Sequence, residues 1–292
     1  MKLLVTGATG FLGSRAADLL ERRGHTVARL GRPGGAVRAS VEEAQILRAD
    51  AGDPATRTLI AGHDAVLHFA GIPDPARARE DPALAVRENV GTTLNLLEGC
   101  RNHGAGLVYP STVRAALTPP PDPYAMSKRL GELVCELHEA RTLVVRLTSV
   151  FGPGQVAWEG ATGAIASFAA SALDREPVTI GGDPERTRDF VYVDDAVDAI
   201  ESLLAVGRWN ETATIASGRP ASLRAAAELV VAAAGADVGI VTPGGELPAG
   251  ENVSYETAPE APLPLNRSLE EGIRRYVDWL AAHPAAQSRT AR

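Results

Sequence analysis

The chain is poor in the residues that make disulfide scaffolds and metal proteins. Of 292 residues only two are cysteine, Cys100 and Cys135. That gives neither a disulfide framework nor the clustered spacing of a zinc site. Both lie in helical patterns and read as buried free thiols. Long hydrophobic runs are also missing: no stretch has the roughly 20 apolar residues that a transmembrane helix needs. The N-terminus enters Leu3-Leu4-Val5 directly, without the basic leader, apolar core and cleavage site of a signal peptide. Positive charge is in deficit, with 29 Lys and Arg against 36 Asp and Glu and a formal net charge of -7. A general nucleic-acid binder needs a basic surface, so that class is excluded, although a local basic pocket is not. What is left is an ordinary globular composition, 45% hydrophobic and 22% charged, long enough for one large or two modest domains. A cytoplasmic protein with no membrane partner, no nucleic-acid partner and no metal is expected.

What is present is an alternation of strand and helix signals. Strands are predicted at Leu3–Val5, Thr26–Leu30, Ala44–Leu47, Asp64–Phe69, Leu107–Tyr109 and Leu143–Leu147. Between them, Phe11–Arg23 has apolar residues at helical spacing and stops at Gly24, and Pro82–Arg101 and Tyr124–Glu139 read as longer helices. This order implies an α/β fold, a Rossmann-type doubly wound parallel sheet with a smaller α/β C-terminal substrate-binding lobe. The sheet domain is placed at 1–150, with 190–215 returning to it. The lobe is placed at 151–189 and 216–282, with 283–292 as a disordered tail and Thr242–Pro264 as a mobile loop. Ligands of such sheets bind beyond the carboxyl ends of the strands. Thr6–Gly13, Phe69-Ala70-Gly71, Ser111-Thr112 and Ser149 all fall at such ends.

Three of these places carry a recognisable chemistry. The first is Gly7-Ala8-Thr9-Gly10-Phe11-Leu12-Gly13, a glycine turn between a strand and a helix. Residues without a Cβ let backbone approach a pyrophosphate, and a helix N-terminus offers amide N–H groups to it. Gly7, Thr9, Gly10, Phe11 and Leu12 are therefore candidate cofactor contacts, as are Phe69, Ala70 and Gly71. At the end of the second strand, an acid would hold the ribose 2′-hydroxyl of NAD and an arginine would accept the 2′-phosphate of NADP. The chain has Leu30-Gly31-Arg32, which favours NADP; a solvated loop arginine is the competing reading. Asp50, followed by Ala51, is placed to meet an adenine edge or is a surface loop acid.

The second is Tyr124-Ala125-Met126-Ser127-Lys128, preceded by Thr112. A phenol with a reference pKa near ~10 must fall by roughly three pH units, about 4 kcal/mol, to act as a base near neutrality. Lys128 shares a helix face with Tyr124 and is expected to lower its pKa. Thr112 can share a hydrogen bond with a substrate oxygen. Tyr-x-x-x-Lys alone is a common surface pair, but here it accompanies a glycine turn and a strand-end Ser-Thr.

Together with His68–Gly71, Asn89-Val90-Gly91-Thr92, Arg146–Gly154 and Thr187–Asp195, these motifs resemble the extended short-chain dehydrogenase/reductases, specifically the nucleotide-sugar epimerase/dehydratase family. The resemblance spans nearly the whole chain. It implies hydride transfer at a sugar carbon of a nucleoside diphosphate sugar, with bound NAD(P)+. It adds Asn89 to the cofactor contacts and assigns Lys128 to the nicotinamide ribose. It also assigns Arg188 to the substrate diphosphate and places Ser149 beside it, where many relatives have Asn; a loop salt bridge from Arg188 to Asp189 or Asp183 is the plain alternative. A dehydratase would carry an acidic pair after the catalytic threonine; here Val113-Arg114 stands in that place. A second diphosphate arginine is not evident between Ala249 and Leu265, and Arg267 is a weak candidate.

The expected activity is nucleotide-sugar epimerisation, at C4, with Thr112, Tyr124 and Lys128 as the catalytic set. An NADPH-dependent keto-sugar reductase is the alternative, and a non-catalytic NAD(P)-binding protein the third reading. A homodimer is expected through Val86, Val90, Leu94 and Leu97 of one helix and Leu130, Val134 and Leu137 of the other, unless all of these pack on the sheet.

Overall fold

The computed structural model describes residues 1–35, 45–160, 163–248, 250–254, 257 and 267–290. The chain divides into two compact units, Met1–Leu147 with Val197–Thr214, and Thr148–Ala196 with Ile215–Arg292. It runs through β1 (Lys2–Thr6), α1 (Phe11–Arg22), β2 (Thr26–Gly31), β3 (Ile46–Arg48), β4 (Ala65–His68), α2 (Pro75–Glu80), α3 (Pro82–Val86), α4 (Thr92–His103), β5 (Gly106–Thr112), α5 (Pro123–Leu137) and β6 (Thr142–Leu147). It continues with β7 (Ser149–Phe151), α6 (Ala164–Leu173), β8 (Val178–Gly181), β9 (Thr187–Arg188) and β10 (Phe190–Tyr192). Then α7 (Val193–Ala205) leads to β11 (Glu211–Ile215), followed by β12 (Ala221–Ser222), α8 (Leu223–Ala233), β13 (Ile240–Gly244), α9 (Leu269–Ala281) and α10 (Pro284–Thr290). Among the described residues no helix is long and apolar enough to cross a membrane.

The first unit is a seven-stranded sheet in the order β11-β6-β5-β4-β1-β2-β3. The pairs β2/β3, β1/β2, β1/β4, β4/β5 and β5/β6 are all parallel. Strands covered on both faces read as continuous apolar runs, and Leu3, Leu4 and Val5 are each fully buried. The order reverses at β1, whose neighbours are β2 and β4, and this switch point is where such sheets open a crevice for ligands.

Helix α5 starts where it does because Asp122 caps it, accepting from the Ala125 N–H at 2.9 Å, and Pro123 occupies the first turn. Its buried residues include Lys128, Gly131, Glu132 and Cys135, the i, i+3, i+4, i+7 stripe of a core-facing helix. That stripe carries two ionisable side chains, which is the first sign of chemistry on it.

The second unit packs around aromatic rings. Phe151 meets Phe190, Tyr192 and Tyr276 edge-on with centroids 6.3, 5.8 and 6.3 Å apart, a favoured geometry. Tyr276 also donates to the Gln155 carbonyl at 2.6 Å.

In the second unit β7 pairs with β10. Three expectations are corrected. Residues Pro284–Thr290 form a helix instead of a disordered tail; the His283 ring accepts from the Ala285 N–H at 3.2 Å and Arg289 donates to Asp174 at 2.8 Å, which hold its two ends. The long helix from Pro82 is interrupted by a π turn at Arg87–Gly91. The stretch read as a loop from Thr242 begins inside β13, which pairs with β8; Ala249, 255–256 and 258–264 of it lie outside the described residues, as does Ala44 of the third predicted strand.

Candidate active site

The glycine turn is built from backbone in contact with backbone. Gly7 has φ +65°, and a Cβ on it would lie 2.6 Å from the Phe69 carbonyl carbon and the Ala70 nitrogen. A Cβ on Gly13 would lie 2.3 Å from the Gly7 oxygen. No side chain therefore fits between the start of α1, the turn and the end of β4. Gly10 caps α1 without any side-chain hydrogen bond, and its first turn holds no acidic residue. The first amides of a helix have no intrahelical acceptor, so Phe11 and Leu12 sit where N–H groups and the positive end of the helix face an anion. This donor set fits a dinucleotide pyrophosphate.

At the end of β2, Thr9 lies against Gly31, where an added Cβ would come within 2.8 Å of the Thr9 methyl. Arg32 follows and is ion-paired with Glu88. Arg48 donates to the Arg32 carbonyl at 2.8 Å. Asp50 accepts from the Gly52 N–H at 2.9 Å, and the Ala51 carbonyl accepts from Asn95 at 2.8 Å. These contacts fix the loop after β3 beside the β2 end.

A directional hydrogen-bond chain runs beneath the turn. The Thr93 hydroxyl donates to the Asn89 carbonyl at 2.7 Å, so it accepts from His68 Nε2 at 3.1 Å. His68 Nδ1 is then the acceptor for the Thr6 hydroxyl at 2.9 Å, and Thr6 Oγ1 accepts from the Ala70 N–H at 3.2 Å. Burial, aided by the charge of Lys128, brings the His68 pKa down to about 3, which keeps the ring neutral as the chain requires. The Asn89 side chain is tied twice to Ile72 (2.8 and 3.1 Å) and donates to Ser127 at 2.9 Å. Its amide joins the loop after Phe69, Ala70 and Gly71 to α5. The π turn brings this about, and π turns recur at functional sites.

Thr112 ends β5 and accepts from the Arg114 N–H at 3.3 Å. Burial pushes the Tyr124 phenol up to about 12; Arg114 pulls it down, Asp122 pushes it up and the Thr112 hydroxyl pulls it down. The Lys128 ammonium donates to the Pro110 carbonyl at 2.9 Å and stands 5.0 Å over the Tyr109 ring. A cation that acts on Tyr124 is Arg114, itself ion-paired with Asp122. Burial brings Lys128 down to about 8 against the opposing pull of Cys135 and Glu132.

In the second unit, Ser149 on β7 donates its N–H to the Asp189 carbonyl at 3.0 Å. Arg188 donates to the carbonyls of Thr187 (2.8 Å), Glu251 (2.8 Å) and Val253. Asp189 is buried and accepts from the Ser217 and Gly218 N–H groups, each at 2.7 Å. Arg267 is ion-paired with Asp195 and lies 5.4 Å over the Tyr192 ring, which places it in the packing of this unit. Ser149 and Arg188 line one cavity of about 310 Å³.

The family model of the NAD dependent epimerase/dehydratase family matches residues 3–216. The chain belongs to this family. It is 30% identical over 268 residues to dTDP-glucose 4,6-dehydratase of Streptomyces griseus, covering 82% of this chain and 80% of that protein. It is 29% identical over 319 residues to dTDP-4-dehydro-6-deoxy-D-allose reductase of Streptomyces bikiniensis, covering 96% of each. Among solved structures it is similar to UDP-glucose 4-epimerase with UDP-glucose from Thermotoga maritima, at 26% identity, TM-score 0.83 and coverage of 96% and 98%. It is also similar to UDP-glucose 4-epimerase of Thermus thermophilus in complex with NAD, at 27% identity, TM-score 0.82 and coverage of 97% and 99%.

Within this NAD dependent epimerase/dehydratase scaffold, sequence reasoning missed Glu132. Glu132 was findable as an acid on the buried stripe of α5, at the spacing of Lys128.

Proposed function

We propose that the chain is a nucleotide-sugar epimerase that inverts C4 by transient oxidation to a keto sugar, using bound NADP and Tyr124 as base. The observation that carries this reading is the placement of Thr112 at the end of β5 and of Tyr124 and Lys128 on α5, elements that pack together in the unit that also holds the glycine turn. Bound NADP+ would supply the hydride acceptor and a positive charge. Tyr124 takes the proton of the C4 hydroxyl as that carbon is oxidised and returns it when the carbon is reduced on its other face. Thr112 holds the same oxygen. Lys128, held by the Pro110 carbonyl, would hold the nicotinamide ribose. Water elimination needs an acid, and Arg114 occupies that place while Asp122 is committed to capping α5 and pairing Arg114. Incubation with UDP-, dTDP-, GDP-, CDP- and ADP-sugars, followed by product NMR and absorbance at 340 nm, tests the reading. A stereoisomer formed at constant absorbance is expected. The likeness to the allose reductase supports a second reading, net keto-sugar reduction, in which product forms only with matching loss of NADPH.

The choice of NADP rests on Arg32, which can exchange Glu88 for a 2′-phosphate. Arg32→Ala is expected to weaken NADPH binding about 10-fold or more while leaving NADH binding unchanged. A fluorescence titration in which both cofactors respond equally would assign the site to NAD.

We also propose a homodimer through α4 and α5. Leu94, Leu130 and Leu137 are 45%, 37% and 85% exposed. Leu97, expected on that face, is instead fully buried in the sheet core with Cys100 and Tyr109. Sedimentation of Leu130→Glu/Leu137→Glu is expected to show a monomer where the wild type is a dimer; a monomeric wild type ends the proposal.

A further inference from the structure

We infer that Arg114 is a positioning residue for the reaction: its guanidinium, held by Asp122 beside Tyr124, is a fixed positive charge that favours the phenolate Tyr124 must form. This rests on the reading of Tyr124 as the base and adds to it a cation from outside the Tyr-x-x-x-Lys helix. Arg114 lies in the single 3-10 turn Val113–Ala116 that follows β5. Its backbone N–H donates to the Thr112 hydroxyl oxygen at 3.3 Å, which ties the turn to Thr112. Its guanidinium donates to Asp122, two residues before Tyr124. Pro119, Pro120 and Pro121 stand in the loop between the two partners, and each fixes its own φ.

The pair holds the cation in one place. Asp122 uses one carboxylate oxygen to accept from the Ala125 N–H at 2.9 Å and the other to accept from Arg114. The Asp122 side chain is 1% exposed and that of Arg114 13%. Charges this far from water are weakly screened. Capping α5 needs only the first of the two oxygens, and a neutral Asn or Ser caps a helix as well as Asp does. A buried ion pair carries a desolvation cost that such a neutral cap avoids, and it is weak evidence for stability. What this pair adds is a charge beside the phenol.

The surroundings of the phenol agree with the geometry. Burial pushes Tyr124 up to about 12, and Arg114 pulls against that more than Asp122 adds to it. Another side of the ring packs against Ile72, Ala78 and Ala85, which carry no charge. On the elements that pack against α5, Arg77, Glu80 and Arg87 are exposed and Arg79 is half-buried. Glu88 is ion-paired with Arg32, Glu98 with Arg101 and Arg146 with Glu132. The Tyr109 phenol on β5 is itself pushed well up, by burial first and by Tyr124 among other groups. Lys128, on the same helix, is brought down to about 8 by burial. Its charge fades as the pH rises above that value, whereas a guanidinium stays charged. Arg114 is thus a cation that persists through the range in which Tyr124 loses its proton.

Arg114→Gln tests this, because it keeps a donor for Asp122 and removes the charge. Its kcat is expected to fall about 10-fold at pH 7 and to recover toward wild type as pH rises, with the basic limb about one pH unit higher. KM and NADPH binding stay at wild-type values. Arg114→Lys, charged at pH 7, recovers most of the lost turnover. A second readout needs no substrate. The full chain is labelled with carbon-13 at the tyrosine Cζ, and the Tyr124 signal is assigned by its loss in Tyr124→Phe. The ionised fraction of Tyr124 at about pH 11 is expected to fall about 10-fold in Arg114→Gln. A loss of kcat that is equal at every pH, with a lowered melting temperature and an unmoved phenol signal, overturns the inference, because Arg114 is then a staple of its loop. So does an Arg114→Lys variant no more active at pH 7 than Arg114→Gln. Where Arg114→Gln does not fold, Arg114→Lys decides, because its ammonium loses its proton near ~10.4. Its ionised fraction of Tyr124 then falls below wild type at about pH 11, and a fraction equal to wild type overturns the inference. If the chain converts no nucleotide sugar, the phenol signal separates the two readings: a moved signal upholds Arg114 while the epimerase reading fails, and an unmoved one ends both.

Discussion

Replacing Tyr124 by phenylalanine is expected to lower turnover about 10²- to 10⁴-fold, the usual contribution of a positioned acid or base, while the fold persists. The substitution removes one oxygen and leaves the ring. Thr112 keeps its backbone contact with Arg114, so β5 and the start of α5 have no reason to move. Burial holds the phenol near 12 in the protein alone, so the hydroxyl is protonated across the neutral range and forms a base only when positive charge accumulates beside it. Turnover of the wild type is therefore expected to rise with pH through a basic limb that Tyr124→Phe lacks. The measurement is kcat from pH 6 to 10, with thermal unfolding as control. Turnover within threefold of wild type in a folded variant would remove Tyr124 from the chemistry.

Replacing Glu132 by alanine is expected to cost about 3–5 kcal/mol of stability, the range for breaking a buried ion pair by removing one partner. The carboxylate is 3% exposed and accepts four hydrogen bonds. Ser111 donates from β5 at 2.6 Å, Arg146 donates twice from β6 at 2.8 and 2.7 Å, and Arg129 donates from α5 itself at 2.8 Å. Burial alone would raise its pKa, but the hydrogen bonds from Arg146, Ser111 and Arg129 overcome that and hold it below the ordinary glutamate value. A depressed folded pKa gives stability that is fully present above the unfolded value, near ~4.3, and lost as pH falls through the folded value. The difference between wild type and Glu132→Gln is thus expected to stay constant from about pH 6 to 8 and to shrink below about pH 4. Urea unfolding at pH 7 and pH 4 checks both points. A loss under ~1 kcal/mol for the alanine variant at pH 7 would mean that the tie is ornamental. Because Glu132 lies one turn beyond Lys128 on the same stripe, this tie also sets where Tyr124 and Lys128 stand relative to Thr112.

Much of this was legible in the sequence, for reasons that differ by residue. Leu3-Leu4-Val5 could be read as a central strand because a strand covered on both faces has only one pattern. The spacings Gly7, Gly10, Gly13 and Tyr124, Lys128 are local, so turn and helix geometry place them without knowledge of the rest. The partners of Lys128 were not legible. Its ammonium turned to Pro110 on β5, and a cation acting on Tyr124 came from Arg114. Both contacts depend on how α5 packs on the sheet, which helical spacing does not encode. The ties of Asn89 to Ile72 and Ser127 were hidden in the same way, because they depend on the π turn at Arg87–Gly91. Glu132 draws partners from three elements. Contacts assembled over such distances in the chain leave no periodic signal.

The central claim is that the hydrogen at C4 leaves and returns to the same carbon. The most direct test is a nucleotide sugar deuterated at C4, converted by the purified protein and examined by NMR. The account predicts deuterium retained at C4 of the epimer, with none at C6 and none exchanged with solvent. Deuterium at C6, or a product whose C4 hydrogen comes from added NADPH, would contradict it.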